Sequence, residues 1–304
     1  MLDFKSDIWA DWLLHRRHGD DPAIEARIGR AVKQYADHVL DDAVLVPGMT
    51  LLDVGAGDGL LAFGAIERVG PTIRVILTDI SAPMLQHAAH CAERRDVTSQ
   101  CRFIECSAEK LDGIADATID VVVTRSSLAY VSGKSAAFKE FHRVLKPGGR
   151  ISIAEPIFQD DAFYSRALRK RVDSAAGLPQ DLFIQLLHRW KAAQFPDTEE
   201  ECAKSALVNY SERDLINLAR GAGFTDIHLQ LHIDVIPSII MSWQAFVKTS
   251  PHPWAPSLTT ILAERFSADE RQLFEATVRP IVEGGTDFTT DRMAYLSAKK
   301  PLAA

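Results

Sequence analysis

The sequence predicts an α/β protein built on a doubly wound, mostly parallel sheet. Two observations lead to this fold class. Short, nearly continuous apolar runs begin at Thr50 and alternate with segments of helical periodicity, a pattern typical of parallel strands covered by helices on both faces. The first run ends in a glycine-rich turn that opens a helix, which is the usual connection at the ligand-binding edge of such a sheet.

Length and charge restrict the partners of the protein. The chain has 304 residues, with 34 Lys and Arg against 41 Asp and Glu, for a formal net charge of −7. This length predicts two domains, or one domain with large insertions. The acidic balance argues against nucleic acid as a partner, because surfaces that bind nucleic acid neutralise phosphates with Lys and Arg. The four cysteines lack zinc-type spacing, so we predict no metal site.

The apolar segments of the chain argue against a membrane partner. The N-terminus lacks the long apolar core of a signal peptide. The most apolar window, at residues 233–243, is far shorter than the roughly 20 residues that a spanning helix needs. We therefore expect a cytoplasmic protein.

The N-terminal part of the chain, residues 1–48, is predicted to form a helical lid. An acidic pair followed by Pro22 is a helix start signal, and apolar residues recur at helical spacing from Ile24 to Val39. A Pro-Gly pair then ends the helical pattern at Gly48.

The core of the protein is predicted to begin with residues 49–156. Strands are predicted at residues 50–54, 74–78, 102–105, 119–124 and 150–154. Helical patterns lie between them at residues 60–69, 84–95 and 136–145.

Two insertions interrupt this alternation. The predicted units are a helical cap at residues 157–207, a continuation of the core at 208–236, a second helical insertion at 237–289, and a closing strand and tail at 290–304. Helical additions at the carboxyl edge of a parallel sheet would roof a ligand crevice.

The sharpest motif is the turn GAGDG at residues 55–59, between the first strand and the first core helix. Glycines permit the tight turn, and the helix amino terminus supplies unpaired N–H groups. The dinucleotide fingerprint GxGxxG would place its third glycine where Leu60 stands. Asp53, at the strand end, would repel a pyrophosphate but suits a cation. S-adenosylmethionine carries a sulfonium and an ammonium and no phosphate, so the charge argument favours it over a nicotinamide dinucleotide.

A second acid, Asp79, ends the second strand. A carboxylate at this place can accept hydrogen bonds from the ribose hydroxyls of an adenosine. Nicotinamide enzymes use an acid in the same way, so Asp79 alone does not discriminate between the two cofactors. The third and fourth strands end at Glu105 and Thr124, and all four strand ends should meet at one edge of the sheet.

Taken in order, the motifs resemble those of the class I S-adenosylmethionine-dependent methyltransferases. The similar parts are DVGAGDG, the acid in LTDIS, SAEKL, IDVVVTRSSLAYV, FKEFHRVLKPGGRISIAEP and GFTDIHL. They cover about residues 47–156 and 208–236, and the closing AYLSAKKP adds to them. The resemblance implies a Rossmann-like sheet of seven strands, in which an antiparallel closing strand lies between the fifth and sixth strands.

The resemblance also implies the contacts with the cofactor. Asp53, Gly55 and Gly57 would hold the methionine part, and Asp79 would hold the ribose. The other implied contacts are Ile80 and Met84 on the adenine face, Ser107 and Ala108 on the adenine edge, and the backbone of Thr124 or Arg125 at the ammonium. Many members of the family have Asp where Ser107 stands, so this contact would be weaker here.

The methyl acceptor is expected to be a small organic molecule, aligned for in-line displacement in a lidded pocket. Oxygen is slightly favoured over nitrogen or carbon as the methylated atom, on base rates alone. The candidate catalytic residues are Glu155, Tyr130 and His188. The candidates for an aromatic acceptor pocket are Tyr130, Phe183, Trp190 and Trp243. An arginine in the basic run at residues 15–18 could pair with the cofactor carboxylate.

Two other functions stay open from the sequence. A nicotinamide-dependent oxidoreductase would bind NADH and not S-adenosylmethionine. A non-catalytic regulatory protein would bind S-adenosylmethionine without turnover. The oligomeric state is not predicted.

Overall fold

The computed structural model describes residues 7–174 and 182–303, which form one sheet with helices on both faces. The strands are β1 (Thr50–Val54), β2 (Arg74–Asp79), β3 (Cys101–Glu105), β4 (Ile119–Arg125), β5 (Leu145–Pro156), β6 (Thr225–Pro237) and β7 (Phe288–Lys299). Their order in the sheet is β3-β2-β1-β4-β5-β7-β6, with β7 antiparallel to both of its neighbours and the other pairs parallel. The predicted fold class is confirmed, including the place of the closing strand.

The helices occur where the sequence changes to helical periodicity. They are α1 (Ile8–Asp11), α2 (Pro22–Ala43), α3 (Leu60–Val69), α4 (Ala82–Arg94), α5 (Lys134–Val144), α6 (Gln159–Ser174), α7 (Leu182–Ala192), α8 (Glu199–Lys204), α9 (Glu212–Gly221), α10 (Trp243–Phe246), α11 (Leu258–Arg265) and α12 (Ala268–Gly284). A π-helical turn, Trp12–Arg16, continues α1. Within the described residues, no helix has both the length and the apolar character needed to cross a bilayer.

The closing strand is longer than the sequence predicts. Its apolar stretch is Met293–Ala298, but β7 spans Phe288–Lys299 and pairs with β6 from Thr225↔Lys299 to Pro237↔Phe288, with a register shift between Thr225 and His228. Polar residues such as Asp291 lie within this paired stretch. The backbone N–H and C=O groups of these polar residues pair with the neighbouring strand, whatever the side chains are. A prediction based on apolar residues therefore underestimates the length of paired strands such as β6 and β7.

The core has a layer on each face of the sheet. Neighbouring residues of a strand point to opposite faces, so Leu51 packs with the helices α2 and α3 while Leu52 packs with the side of α5 and α9. Both leucines are fully buried. A third apolar cluster, around Leu186 and Phe274, lies between the two insertions.

The N-terminal segment is fixed to the second insertion. The Arg16 guanidinium donates hydrogen bonds to the backbone oxygens of Ala255 (2.7 Å) and Pro253 (2.9 Å). The Trp12 indole N–H donates a hydrogen bond of 2.9 Å to the backbone carbonyl oxygen of Ser250. Segments far apart in the sequence therefore form one continuous layer, and both contribute to the wall of the cavity described next.

Candidate active site

A cavity of about 730 Å³ opens at the carboxyl ends of β1, β2, β4 and β5. The strand ends contribute the loop at residues 55–58, Asp79, Ser127 and Phe158 to its wall. The other walls come from the N-terminal segment, including Trp9, and from the second insertion and β7. The strand β1 has β2 on one side and β4 on the other, and a crevice opens in α/β sheets at this kind of switch point.

The glycine loop lies tightly against the turn that follows β4. Gly55 has a φ of +67°, and a Cβ built on it would overlap the Ser127 hydroxyl. Both the backbone conformation and the close approach therefore require glycine at this position. Within the loop, the Ala56 N–H donates to the Thr78 carbonyl and the Gly59 N–H to the Ala56 carbonyl, so the turn is held by its own backbone.

The Asp79 carboxylate is held in place by two backbone groups and faces the cavity. One oxygen accepts a hydrogen bond from the Gly57 N–H and the other from the Ser81 N–H, each at 2.9 Å. Burial raises the pKa of Asp79 above its ordinary value, while these N–H donors lower it. Each oxygen keeps acceptor capacity for a further donor, such as a ligand hydroxyl.

Two arginines bring positive charge to the same end of the cavity. Arg17 and Arg125 both line its wall, and the Nε of Arg17 is buried without a hydrogen-bond partner in the described part of the chain. Burial, with the charge of Arg125, lowers the pKa of Arg17, and Asp58 opposes this effect. Arg17 is therefore an open partner for an anion.

Comparison with known families identifies the class of enzyme. Residues 45–206, more than half of the chain, match the family described as a methyltransferase domain. The chain belongs to this methyltransferase family. It is an S-adenosylmethionine-dependent methyltransferase, as the ordered motifs of the sequence predict. The nicotinamide and non-catalytic alternatives are set aside.

The methyltransferase is similar to curated proteins named ubiquinone/menaquinone biosynthesis C-methyltransferase UbiE. The protein of Idiomarina loihiensis is 28% identical over 201 residues, which cover 64% of this chain and 78% of that protein. The protein of Xanthomonas oryzae is 35% identical over 128 residues, which cover 42% of this chain and 49% of that protein. The chain thus spans about half the length of several curated relatives that it matches.

Solved structures share the fold of the methyltransferase. YcgJ of Bacillus subtilis is 17% identical, with a TM-score of 0.55, covering 89% of this chain and 99% of that one. The protein titled [4+2]-cyclase SpnF is 20% identical, also with a TM-score of 0.55, covering 98% and 95%. At these identities the similarity shows the fold alone, and a fold by itself does not determine the reaction.

Most predicted cofactor contacts of the methyltransferase lie on the cavity wall. Those on the wall are Gly55, Gly57, Asp79, Ile80, Met84, Ser107, Ala108 and Arg125. Thr124 is fully buried and does not line the cavity, so Arg125 is the one of this pair that does. The Ser107 hydroxyl oxygen accepts a hydrogen bond from the Glu109 N–H at 3.1 Å, which leaves its proton available to a ligand.

Asp53 lies beneath the glycine loop, away from the cavity wall. Its side chain is 1% exposed, and one carboxylate oxygen accepts a hydrogen bond from the Ala62 N–H at 3.1 Å. Burial raises the pKa of Asp53 to about 7, although the Ala62 N–H and Arg125 oppose the shift. In this structure the Asp53 carboxylate therefore contacts the first turn of α3 and does not line the cavity.

Two of the three candidate catalytic residues are not in the cavity. Glu155 is fully buried beneath the turn after β4, and its carboxylate accepts hydrogen bonds of 3.0 Å from three backbone N–H groups, those of Ser127, Leu128 and Ala129. His188 lies on α7 and bonds Asp197 at 2.6 Å. The structure thus places Glu155 and His188 away from the cavity wall, with local contacts occupying both side chains.

Tyr130 does line the cavity, within an aromatic group. Its ring centroid lies 5.2 Å from that of Trp9 and 5.3 Å from that of Trp254. Burial raises the pKa of Tyr130, so its hydroxyl stays protonated at neutral pH. It can donate a hydrogen bond, but it is a poor base.

The other predicted pocket aromatics, Phe183, Trp190 and Trp243, lie in the apolar cluster between the insertions. Ring centroids of Phe183 and Trp190 lie 6.1 and 5.4 Å from that of Phe274. Trp243 packs on Phe246 at 5.7 Å. The structure thus places these three aromatics in the packing between the two insertions and not on the cavity wall.

Sequence reasoning missed much of the cavity wall. The missed residues include Trp9, Tyr35, Phe158, Asp161 and Arg292. Arg17 belongs to the basic run that was noted, but the sequence did not single it out. No pattern in the sequence shows which of these side chains turn toward the cavity. Within the described residues, no group of three or more His, Cys, Asp or Glu is arranged to hold a metal ion.

Proposed function

We propose that the protein transfers the methyl group of S-adenosylmethionine to a ring carbon of a hydroxylated aromatic acceptor of the hydroquinone class. The observation that carries the acceptor class is the aromatic wall of the cavity, with Trp9, Tyr35, Tyr130 and Phe158 lining the space that also contains Asp79. Such a wall suits a flat ring, because aromatic groups stack favourably and exclude water.

The residues on the cofactor side fit S-adenosylmethionine. Asp79 would accept the ribose hydroxyls, and Ile80 and Met84 would pack on the adenine. Arg17, with its unpartnered buried Nε, would pair with the carboxylate of the methionine part. When bound, the cofactor supplies an electrophilic methyl group on a sulfonium.

The curated relatives support carbon as the methylated atom. These relatives are named as C-methyltransferases of ubiquinone and menaquinone biosynthesis, whereas base rates alone favoured oxygen as the methylated atom. A ring carbon becomes nucleophilic when a hydroxyl on the same ring loses its proton. The protein would therefore have to align the ring, exclude water and receive that proton.

The cofactor side is tested by Asp79→Ala. Loss of charged hydrogen bonds should weaken S-adenosylmethionine binding by on the order of 1–3 kcal/mol, measured by calorimetry. Glu105→Gln is the control, because Glu105 pairs with Asp79 in the sheet register but does not line the cavity. Unchanged affinity in Asp79→Ala would rule out the ribose contact.

The acceptor side is tested with methyl-labelled S-adenosylmethionine. The protein is incubated under argon with benzenediols and naphthalenediols, with and without an isoprenoid tail. We expect label on a ring carbon of at least one diol, identified by mass spectrometry and NMR. Label on oxygen would refute carbon methylation, and absence of label from every diol would refute the acceptor class.

A further inference from the structure

Asp161 presents a carboxylate to the acceptor side of the cavity. It lies in the first turn of α6, directly after β5, and lines the cavity wall together with Phe158 and Arg292. Within the part of the chain that the structure describes, the hydrogen bond to this carboxylate comes from the backbone N–H of Asp161 itself, and no other residue donates to it. The group is therefore accessible and ready to bond to a ligand.

The charges around Asp161 come from three elements. On its own helix, Asp160 forms an ion pair of 2.7 Å with Arg292 of β7. On α7, the Lys191 ammonium lies 4.0 Å from the centre of the Trp190 ring. Burial raises the pKa of Asp161 above its ordinary value, and the charges of Lys191 and Arg292 oppose this shift. The carboxylate therefore binds a proton more readily than an ordinary aspartate does.

Other carboxylates on the cavity wall already have partners. Asp79 bonds two N–H groups, and Glu109 accepts a hydrogen bond from the Gly133 N–H at 2.7 Å. Asp291 accepts a hydrogen bond from the Tyr35 hydroxyl at 3.2 Å. Asp58 lies in the glycine loop, on the cofactor side near Arg17. Asp161 is left as the carboxylate on the acceptor side.

We propose that Asp161 is the catalytic base that takes the hydroxyl proton of the aromatic acceptor, an inference that rests on the proposed function. The acceptor O–H bond breaks, and its proton passes to the Asp161 carboxylate. The electron pair left on oxygen enriches the ring, and a ring carbon bonds to the methyl carbon as the bond from that carbon to sulfur breaks. The sulfur keeps the electron pair, and loss of the ring proton to water restores aromaticity.

The test compares Asp161→Asn with Asp161→Glu, and uses Asp173→Asn as a matched control. Asp173 lies on the same helix with a side chain that is 70% exposed. We expect kcat of D161N to fall by about 100-fold or more, with unchanged affinity for S-adenosylhomocysteine. D161E should recover part of the activity, and D173N should behave as wild type.

The pH profile of kcat separates a base from a structural residue. The kcat of the wild type should fall as the pH drops and Asp161 gains its proton, and it should level off above that range. The kcat of D161N should show no such plateau and should keep rising into the alkaline range in which the acceptor hydroxyl itself ionises.

The outcomes distinguish this inference from the proposed function. If the wild type methylates a diol and D161N keeps the same kcat and pH profile, Asp161 is not the base and the proposed function stands. If D161N loses activity together with affinity for S-adenosylhomocysteine and thermal stability, while D161E does not restore kcat, the inference is overturned as well. If the wild type methylates no diol, both proposals fail.

Discussion

The Ser81 hydroxyl donates a hydrogen bond of 2.8 Å to the Asp7 carboxylate and so ties the first helix of the chain to the turn after β2. The other oxygen of Asp7 accepts hydrogen bonds from the N–H groups of Trp9 and Ala10, each at 2.9 Å, and caps α1. The Ser81 N–H in turn donates to Asp79. A continuous set of hydrogen bonds therefore connects the N-terminal segment to the proposed ribose site.

This connection predicts coupling between Asp7 and Ser81. In a double-mutant cycle of Asp7→Ala and Ser81→Ala, the two losses of binding free energy for S-adenosylhomocysteine should be non-additive by on the order of 1 kcal/mol. Calorimetry on the four proteins measures it. Asp21→Ala is the control, because Asp21 caps α2 and should combine additively with Ser81→Ala. Additivity for Asp7 as well would contradict the coupling.

Arg17 is predicted to recognise the carboxylate of the cofactor. Arg17→Ala should weaken binding of S-adenosylhomocysteine by about 10-fold or more, because a charged hydrogen bond is lost. Binding of 5′-methylthioadenosine should not change, since this nucleoside lacks the amino-acid part. Calorimetry with both ligands measures the difference. Equal losses for the two ligands would show that Arg17 acts on the shape of the site and not on the carboxylate.

Asp53 is predicted to make stability depend on pH. Its pKa is about 7 in the folded protein against an ordinary value of 3.8, so between these values the folded state holds a proton that the unfolded state has released. The proton bound to Asp53 therefore contributes to the free energy of unfolding. This contribution is fully present below about pH 4 and is lost as the pH rises through 7, by about 1.4 kcal/mol per pH unit.

The pH dependence is measured by urea unfolding of Asp53→Asn and the wild type without ligand. The difference between their unfolding free energies should change between pH 4 and 7 and stay constant above that range. Asp112→Asn, whose side chain is 65% exposed, should follow the wild type. Parallel curves for Asp53→Asn and the wild type would show that Asp53 does not carry the shift.

Glu155 is predicted to support the turn after β4 and not to act in catalysis. Its two oxygens accept hydrogen bonds from three N–H groups, and an amide has only one acceptor oxygen. Glu155→Gln should therefore lower the free energy of unfolding by about 1–3 kcal/mol, measured by urea unfolding. Glu199→Gln, with a side chain that is 84% exposed, should change it little. A fully stable Glu155→Gln protein without activity would restore the catalytic assignment.

The predictable features of this protein are local in the sequence. Apolar runs such as the one that forms β1 predict buried strands, and the turn at residues 55–59 needs glycine because Gly55, Gly57 and Gly59 all have positive φ. Asp79 could be placed at the cavity because a strand end has a fixed position in a parallel sheet. Most residues predicted to contact the cofactor therefore lie on the cavity wall, whereas Asp53 lies beneath the loop and Thr124 is fully buried.

The acceptor side was not predictable in the same way. Trp190 and Trp243 have the residue type of a ligand pocket, but the two insertions bury them against each other. Glu155 lies at the carboxyl end of β5, at the edge of the sheet where the cavity opens. Its carboxylate nevertheless points beneath the turn after β4 and accepts hydrogen bonds from the N–H groups of that turn. A side chain on an insertion faces whatever the rest of the chain brings near it, and residue type does not encode that direction.

By itself the sequence determined the parallel sheet, the glycine loop and the place of Asp79 at the end of β2, because short-range periodicity and local turn chemistry decide these features. Only the tertiary structure decided which side chains form the acceptor wall. Trp9, Asp161 and Arg292 come from three distant segments, and they line one cavity because the packing of the N-terminal segment, α6 and β7 brings them together.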